Sequence, residues 1–365
     1  MSKKKVILVC GARPNFMKVV PLWRQMKKRP KIFLPLILHT GQHYDAAMSD
    51  LFFQDLGLPK PDIHLGVGSA THAVQTASIM TRFEKVLVKE KPDLVIVVGD
   101  VNSTIACAVV ASKLLVPVAH VEAGLRSFDR TMPEEINRIV TDHLSDFLFT
   151  TCKDANANLK KEGIDKKRIF FVGNVMIDTF IKLRGEIGQS DILNKLGLAQ
   201  REYAVLTLHR PSNVDEKKVF QRILEALKIV SERIPIVFPV HPRTVKQLKN
   251  TGLGKNGGNI KKINPLGYRD FLKLCMHSRF VLTDSGGIQE ETTYLNIPCL
   301  TLRENTERPI TLEKGTNTLV GSDKAKIIAK SLTILRQKPR AGLKPELWDG
   351  RSAERIVTIL EDAIA

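Results

Sequence analysis

The sequence has few aromatic residues and no long hydrophobic run. Aromatic residues make up 6% of the 365 residues, which is too few to suggest a row of rings on which nucleic-acid bases would stack. The opening MSKKK is followed by the short apolar stretch VILVC, whereas a membrane helix needs about 18 apolar residues or more. We therefore predict a cytoplasmic protein with no membrane partner.

Cysteines are few, and they are not arranged in pairs. A disulfide framework or a zinc knuckle needs cysteines at short, regular spacing. The chain instead has an odd number of them, far apart and mostly within apolar runs: Cys10, Cys107, Cys152, Cys275 and Cys299. We predict buried free thiols and no metal site.

Acidic residues are outnumbered by basic ones. Lys and Arg total 56 against 38 Asp and Glu, giving a net charge of +18. Such a charge attracts nucleic acid, anionic membranes or phosphorylated small molecules, and it does not choose among them. Because the basic residues are scattered, we predict a largely solvated basic surface and no nucleic-acid partner; nucleic-acid binding stays open as the alternative from another class.

Strand-length apolar runs recur along both halves of the chain. At 365 residues the chain is longer than one hydrophobic core usually grows, and 43% of it is hydrophobic, so two domains are expected. The runs are continuous rather than alternating, as in parallel strands covered on both faces. They include VILVC, PLILHT, DLVIVVGD, PVAHVE, FLFTT and RIFFVGN, then YAVLTLH, IPIVFPVH, IKKINP, FVLTDSG and IPCLTL. We predict an α/β fold of two Rossmann-like domains, residues 1–175 and 176–349.

Residues that end strands matter most, because ligands of open parallel sheets bind beyond the carboxyl ends of the strands. After VILVC, Pro14 suits the start of a helix. Arg13 and Lys18 beside that helix N-terminus can hold a diphosphate, or they can be two surface cations. The stretch from Gly11 to Lys18 matches neither the Walker phosphate-binding loop, GxxxxGK followed by Ser or Thr, nor the dinucleotide-binding motif GxGxxG.

Two acids also end strands. Asp100 closes DLVIVVGD and precedes a helix, so it is either a helix-capping acid or a functional one. Glu122 closes PVAHVE, where no helix follows at once, so a capping role is weaker. We take both acids as candidate functional residues that act on a bound ligand.

The stretch MPEEINRIVTDHL predicts a helix with charged residues along one side. Glu134, Arg138 and Asp142 share one stripe at i, i+4 and i+8, which is either solvated or turned to a cleft. Glu135 is explained as a helix-start acid. We expect Arg126 and Arg138 to hold the candidate carboxylates and lower their pKa.

In the second half two histidines end strands. His209 follows YAVLTL and His241 follows IPIVFPV, and imidazoles there suit phosphate contact or proton transfer. In the first half, Gly41 argues that TGQHY is a loop rather than a helix carrying a metal site. We therefore predict that His43 is a loop residue near the cleft between the two domains.

The stretch FVLTDSGGIQEE predicts a strand, a glycine turn and a helix. Ser285, Gly286 and Gly287 can let backbone N–H groups approach a phosphate. Glu291 can accept hydrogen bonds from both hydroxyls of a ribose. A purely structural turn is the alternative.

Taken together, these stretches resemble the non-hydrolysing UDP-N-acetylglucosamine 2-epimerases. The resemblance runs in the same order over nearly the whole chain and rests on GARPNFMKVVPL, TGQHY, GDVNST, HVEAGLRS, MPEEINRIVTDHLSD, GNVMID, His209-Arg210, TDSGGIQEE and NTERP. It implies a glycosyltransferase-B-type arrangement with the active site in the interdomain cleft, and a C-terminal helix at about 350–365 packing on the first domain.

The resemblance also implies a reaction and residue roles. UDP is eliminated to leave a 2-acetamidoglucal, and re-addition on the other face inverts C2, with a UDP-sugar as substrate and no cofactor. The implied catalytic residues are Asp100, Glu122, Glu134 and His209. The implied UDP-binding residues are Arg13, Lys18, Ser285, Gly286, Gly287 and Glu291. From their positions in the sequence we add four substrate-binding candidates: His43, Arg126, Arg138 and His241. A homodimer serving polysaccharide biosynthesis is expected as well.

Two other activities stay open from these residues. The stretches GARPNF and RSFDRTMPEEINR also resemble those of 2-epimerases that act on UDP-2,3-diacetamido-glucuronic acid. A UDP-sugar glycosyltransferase would use the same DSGG and EE residues, but it would not need three acids near the sugar's C2.

Overall fold

The computed structural model describes residues 3–42, 60–248, 258–337 and 342–364. His43 and the Arg13 side chain lie outside the described part. The chain divides into two compact units, Met1–Lys182 with Glu346–Ala365, and Leu183–Pro345. Among the described residues, no helix has both the length and the apolar character that a membrane crossing requires.

The first unit is built on a parallel sheet. Its strands are β1 (Lys4–Cys10), β2 (Phe33–His39), β3 (Ile63–His64), β4 (Leu94–Val98), β5 (Val118–Ala123), β6 (Phe147–Thr150) and β7 (Ile169–Phe171). They lie in the order β3-β2-β1-β4-β5-β6-β7. The order reverses between β1 and β4, which is where a doubly wound sheet opens its ligand crevice.

Helices connect these strands. They are α1 (Arg13–Lys27), α2 (His72–Glu90), α3 (Asn102–Lys113), α4 (Pro133–Leu144), α5 (Lys153–Lys161) and α6 (Val175–Gly188). The core between the sheet and α2 and α3 contains Ile79, Phe83 and Ala106. All five residues of β4 are buried, as continuous apolar strands require.

The second unit repeats the plan. Its strands are β8 (Ala204–Thr207), β9 (Ile236–Pro239), β10 (Ile260–Ile263), β11 (Phe280–Thr283), β12 (Cys299–Thr301) and β13 (Asn317–Leu319). They lie in the order β10-β9-β8-β11-β12-β13, so the reversal falls between β8 and β11. The further helices are α7 (Ile192–Leu196), α8 (Pro211–Val214), α9 (Lys217–Ser231), α10 (Pro242–Leu248), α11 (Tyr268–His277), α12 (Gly286–Leu295), α13 (Ile310–Glu313) and α14 (Lys324–Arg336).

These sheets confirm the predicted α/β class with two Rossmann-like sheets. Each apolar run named above forms a strand. Strands β3 and β13 were not predicted, because their sequences, IH and NTL, are not continuous apolar runs. The thiol prediction is confirmed, since all the cysteines are buried and free.

The last helix, α15 (Ser352–Ile364), belongs to the first unit. Asp178 of α6 accepts hydrogen bonds from the backbone N–H groups of Ser352 and Ala353, at 3.2 and 2.7 Å. Its carboxylate thus caps the start of α15. Nearby, Trp348 Nε1 donates to the carbonyl of Thr151 at 3.0 Å.

Burial raises the pKa of Asp178 to about 6, above its ordinary 3.8, despite these two N–H donors. The folded state therefore binds this proton more tightly than the unfolded state does. The resulting stabilisation of the fold is fully present below the ordinary pKa of 3.8 and is lost as pH rises through about 6. The stability difference between the wild type and Asp178→Asn should shift in favour of the wild type by up to about 3 kcal/mol between pH 7 and pH 4. Urea unfolding at several pH values measures it.

Glu225→Gln is the control for this shift. Lys324 lowers the pKa of Glu225 below its ordinary value, so its pH dependence should run in the opposite direction. A wild-type advantage over Asp178→Asn that is equal at every pH would contradict the assignment.

Candidate functional site

Glu122 lies at the end of β5 in an unusual backbone conformation. Its φ is +77°, in the left-handed region that side chains other than glycine rarely adopt. The pairing of β5 with β6 shifts register between Val121 and Ala123, as at a β-bulge. Such a bulge re-aims the side chain that it carries, so the strand end is shaped around this carboxylate.

The Glu122 carboxylate is paired with a buried lysine. Lys18 Nζ donates to Glu122 Oε2, and the two side chains are 8% and 3% exposed. A side chain at Gly99 would bring its Cβ within 3.0 Å of Lys18 Nζ and 3.5 Å of Glu122 Oε2. The glycine therefore leaves room for the ion pair beside the end of β4.

The loop between β1 and α1 brings Lys18 to this place. Asn15 Oδ1 accepts from the N–H groups of Gly11 and Ala12 at 3.1 and 2.8 Å, while Asn15 Nδ2 donates to the carbonyl of Val98 at 3.2 Å. As predicted, Pro14 lies in the first turn of α1. The start of α1 is thus fixed against the end of β4.

Asp100 follows β4 and is held by α4. Arg138 Nη1 donates to Asp100 Oδ2 at 2.5 Å, and the two side chains are 2% and 29% exposed. Asn137 Nδ2 donates to the Asp100 backbone carbonyl at 2.8 Å. Asp100 therefore presents a fixed, partly exposed carboxylate, and the expectation that Arg138 holds it is confirmed.

Glu135 has a larger role than the sequence suggested. It is buried, and it accepts from the N–H groups of Ser127 and Phe128 at 3.0 and 2.9 Å and from Arg138 Nη2 at 2.5 Å. Burial raises its pKa, but these donors outweigh burial and bring the pKa below the ordinary value. The explanation as a helix-start acid was incomplete, because helix position alone does not show which loop folds back onto the side chain.

Arg126 does not hold a candidate catalytic acid, so that expectation was wrong. Its guanidinium contacts Asp142 Oδ2 at 2.7 Å and Glu162 Oε1 and Oε2 at 2.8 and 2.7 Å. Asp142 is wholly buried and also contacts His120 Nδ1 at 2.6 Å. Burial raises the pKa of Asp142, yet His120 and Arg126 lower it below its ordinary value.

The charged stripe on α4 is therefore packed inward. Arg138 and Asp142 are buried, whereas Glu134 at the start of the helix is half-buried. On the other side of the helix Ile136 is 40% exposed. The polar face of α4 packs on the sheet because it supplies the partners of Asp100 and His120.

In the second unit His209 is paired with a buried carboxylate. Asp284 Oδ1 lies 2.9 Å from His209 Nδ1. The Asp284 carboxylate also accepts from the N–H groups of His209 and Arg210, at 3.0 and 2.9 Å. Burial raises the pKa of Asp284, but these donors lower it overall. Because a carboxylate only accepts, the proton of a neutral His209 lies on Nδ1, and Nε2 keeps a lone pair.

Sequence reasoning found His209 but missed Asp284 as its partner. The two residues lie 75 positions apart, and Asp284 was interpreted only as part of a turn. The ends of β8 and β11, which are neighbours in the sheet, bring them together. His241 lies beside them, with its ring centroid 5.6 Å from that of His209.

The glycine turn after β11 begins α12. Ser285 is the N-cap of this helix, whose first N–H groups have no acceptor within the helix. A side chain at Gly286 would overlap the Arg308 guanidinium and the Glu307 carboxylate. Arg308 is itself ion-paired with Glu290 at 3.0 Å, so a fixed cation lies against the turn.

Glu291 lies further along α12 and is buried. Tyr268 Oη donates to Glu291 Oε1 at 2.8 Å. Burial raises the pKa of Glu291 to about 7; the Tyr268 hydrogen bond opposes this shift and the neighbouring charge of Glu290 adds to it. A carboxyl group that titrates near neutral pH can bind hydroxyl donors in a pH-dependent way.

Comparison with known proteins adds four findings. The chain matches the family model for UDP-N-acetylglucosamine 2-epimerase over residues 24–361. It is 45% identical over 364 residues to the UDP-N-acetylglucosamine 2-epimerase of Methanocaldococcus jannaschii, with 98% of each chain covered. It is 42% identical over 337 residues to the UDP-2,3-diacetamido-2,3-dideoxy-D-glucuronate 2-epimerase of Pseudomonas aeruginosa, covering 91% of this chain and 92% of that one. A crystal structure of the Methanocaldococcus jannaschii UDP-GlcNAc 2-epimerase in complex with UDP-GlcNAc and UDP has a TM-score of 0.90 at 44% identity, covering 98% of this chain and 99% of that one.

Replacing Asp284 tests the pairing with His209. Asp284→Asn can offer an N–H toward Nδ1, so the neutral His209 ring should move its proton from Nδ1 to Nε2. Long-range nitrogen–proton NMR spectra of histidine-labelled protein at alkaline pH report which ring nitrogen is bare. Asp215→Asn, at a partly exposed acid of the same unit, should leave the His209 signals unchanged; an unchanged tautomer in Asp284→Asn would refute the pairing.

Proposed function

Because the chain belongs to the UDP-N-acetylglucosamine 2-epimerase family, we propose that it interconverts UDP-N-acetylglucosamine and UDP-N-acetylmannosamine. In the first step a base removes the C2 proton while the bond from C1 to the UDP oxygen breaks. The products are 2-acetamidoglucal and UDP. In the second step UDP adds back to C1 and a proton returns to C2 on the opposite face.

The observation that carries the proposal is the pair of carboxylates at the ends of the adjacent strands β4 and β5. Asp100 is fixed by Arg138 and Glu122 by Lys18. Each carboxylate is thus held in place by a cation, and a carboxylate is a group that can accept a proton. We propose that these acids, with Glu134, remove and return the C2 proton; which acid serves which face is left open.

The second unit supplies groups suited to the departing UDP. We propose that His209, oriented by Asp284, stabilises the diphosphate or protonates it as it leaves. The helix N-terminus at Ser285, Gly286 and Gly287 is suited to the phosphates, because unpaired N–H groups and the helix dipole favour anions. His241 lies close enough to His209 to share this task.

The remaining UDP contacts are proposed from the family resemblance. Glu291 is proposed to accept from the ribose hydroxyls, which suits a carboxylate already engaged on one oxygen by Tyr268. Arg13 and His43 are proposed as further substrate contacts. A homodimer working in the cytoplasm is proposed on the same basis.

A second substrate is favoured by one observation. The Pseudomonas aeruginosa relative, which is 42% identical to this chain, is a 2-epimerase of UDP-2,3-diacetamido-2,3-dideoxy-D-glucuronate. The same elimination and re-addition would serve that sugar. The choice between the sugars depends on groups around C3 and C6, not on the acids at C2.

The proposed reaction is tested by incubating the purified protein with UDP-N-acetylglucosamine in deuterium oxide and recording proton NMR spectra. The C2 hydrogen should exchange for deuterium while the mannosamine epimer accumulates, because the proton is lost in the elimination. An unchanged substrate would refute this activity, and exchange with the diacetamido-glucuronate sugar alone would establish the second candidate.

Variants then test the residue roles. Glu122→Gln, Asp100→Asn and His209→Ala should each slow C2 exchange by about 10²-fold or more, since general acid–base groups contribute on that scale. Asp129→Asn is the matched control, because Asp129 lies in the loop between β5 and α4 and contacts Thr131. This variant should exchange the C2 hydrogen at the wild-type rate. Near-normal exchange in all three test variants would refute the assignment.

The pKa of Glu291 predicts how UDP-sugar affinity depends on pH. Hydroxyl donors favour the carboxylate, so affinity should rise by about tenfold between pH 6 and pH 8, as a group titrating near 7 becomes ionised. Calorimetry with UDP-N-acetylglucosamine, whose diphosphate diester does not titrate in this range, measures the change. Glu291→Gln should bind weakly and lose this rise in affinity from pH 6 to pH 8. Glu225→Gln, at an exposed acid of α9 that contacts Lys324, should behave like the wild type; an equal pH slope in Glu291→Gln would contradict the ribose role.

A further inference from the structure

His120 of β5 is a buried imidazole whose two ring nitrogens both face acceptors. Nδ1 lies 2.6 Å from Asp142 Oδ1, and Nε2 lies 2.8 Å from the backbone carbonyl oxygen of Gly99. Carboxylate and carbonyl oxygens cannot donate. Both contacts are hydrogen bonds only when each ring nitrogen donates, and the ring has no exposed surface.

Charged groups surround His120, so that a proton on each ring nitrogen would be compensated. Asp142 contacts both His120 and Arg126, and Arg126 in turn contacts Glu162. The N–H of Gly124 also donates to Asp142 Oδ2, at 3.1 Å. The four side chains thus alternate in sign, which is the condition under which charges are tolerated away from water.

The hydrogen bond from His120 fixes a short piece of backbone next to the proposed acids. Gly99 has a φ of +68°, and its N–H donates to the carbonyl of Val121 at 3.1 Å. Its carbonyl accepts from His120 Nε2, so both polar groups of this residue are held by β5. Gly99 lies against the Lys18–Glu122 ion pair, and the next residue is Asp100.

We propose that His120, doubly protonated and held by Asp142, is a positioning residue that fixes the Gly99 carbonyl and so sets Asp100 relative to the Lys18–Glu122 pair. The inference rests on the proposed function, in which these acids act at C2. His120 itself is buried and touches no reacting atom. Its contribution is geometric, because the rate of proton transfer falls steeply when the acid and base are misplaced by about 1 Å.

Two substitutions separate the two hydrogen bonds of the ring. The amide nitrogen of glutamine reaches about as far as Nε2, so His120→Gln can keep the bond to Gly99, and Asp142 still has Arg126. The shorter asparagine reaches only the position of Nδ1, so His120→Asn keeps Asp142 and leaves the Gly99 carbonyl without its donor.

The kinetic test compares these variants in the C2 exchange assay. His120→Asn should lower kcat by about tenfold or more with little change in KM, and His120→Gln should recover most of kcat. His143→Asn is the matched control, since His143 is an exposed histidine on α4 that contacts the Ile139 carbonyl. Wild-type kcat in His120→Asn, or equal losses in both His120 variants, would overturn the inference.

A spectroscopic test needs no substrate. Nitrogen NMR of histidine-labelled wild type, with His120→Gln to assign the signals, should show protons on both ring nitrogens of His120 at pH 8. A bare ring nitrogen would overturn the inference, and this spectrum decides the matter if His120→Asn fails to fold. Failure of the proposed reaction is distinguishable, because it would appear as absent C2 exchange in the wild type while the His120 spectrum is unaffected.

Discussion

A carboxylate that is wholly buried needs its charge compensated, and the first unit is arranged around that requirement at Asp142. The compensating groups come from separate parts of the chain: His120 from β5, Arg126 from the loop after it, and the Gly124 N–H. Because Asp142 lies on α4, the same contacts dock this helix on the sheet. Arg138 of α4 then reaches Asp100, so the placement of the proposed acids depends on one buried charge.

The second unit meets the same requirement in a different way. Asp284 is buried, but it is compensated mainly by N–H groups from the chain after β8 and by one imidazole. That imidazole, His209, remains 39% exposed, whereas His120 is fully enclosed between two acceptors. The same pairing of histidine with aspartate therefore leaves an accessible ring in one unit, which we propose acts on UDP, and an enclosed ring in the other.

The pattern of apolar runs in the sequence predicted much of the fold and some residues of the candidate site. Strands such as β4 and β5 are continuous apolar runs, and Asp100, Glu122 and His209 became candidates because they end such runs. What local pattern could not supply were partners from distant parts of the chain. Asp284 meets His209 only because β8 and β11 are neighbours in the sheet, and Arg126 meets Asp142 rather than a strand-end acid because α4 turns its polar face inward.

The left-handed backbone at Glu122 places local stability and the acidic side chain in competition. A residue other than glycine held at positive φ costs on the order of 1 kcal/mol, and at this position the side chain is also a buried charge. Glycine would relieve the backbone and remove the acid in one step. Removing the carboxylate would, however, leave the buried Lys18 ammonium without its ion partner, at a cost of about 3–5 kcal/mol that exceeds the backbone gain. A stabilised variant of this chain should therefore be made with position 122 held constant.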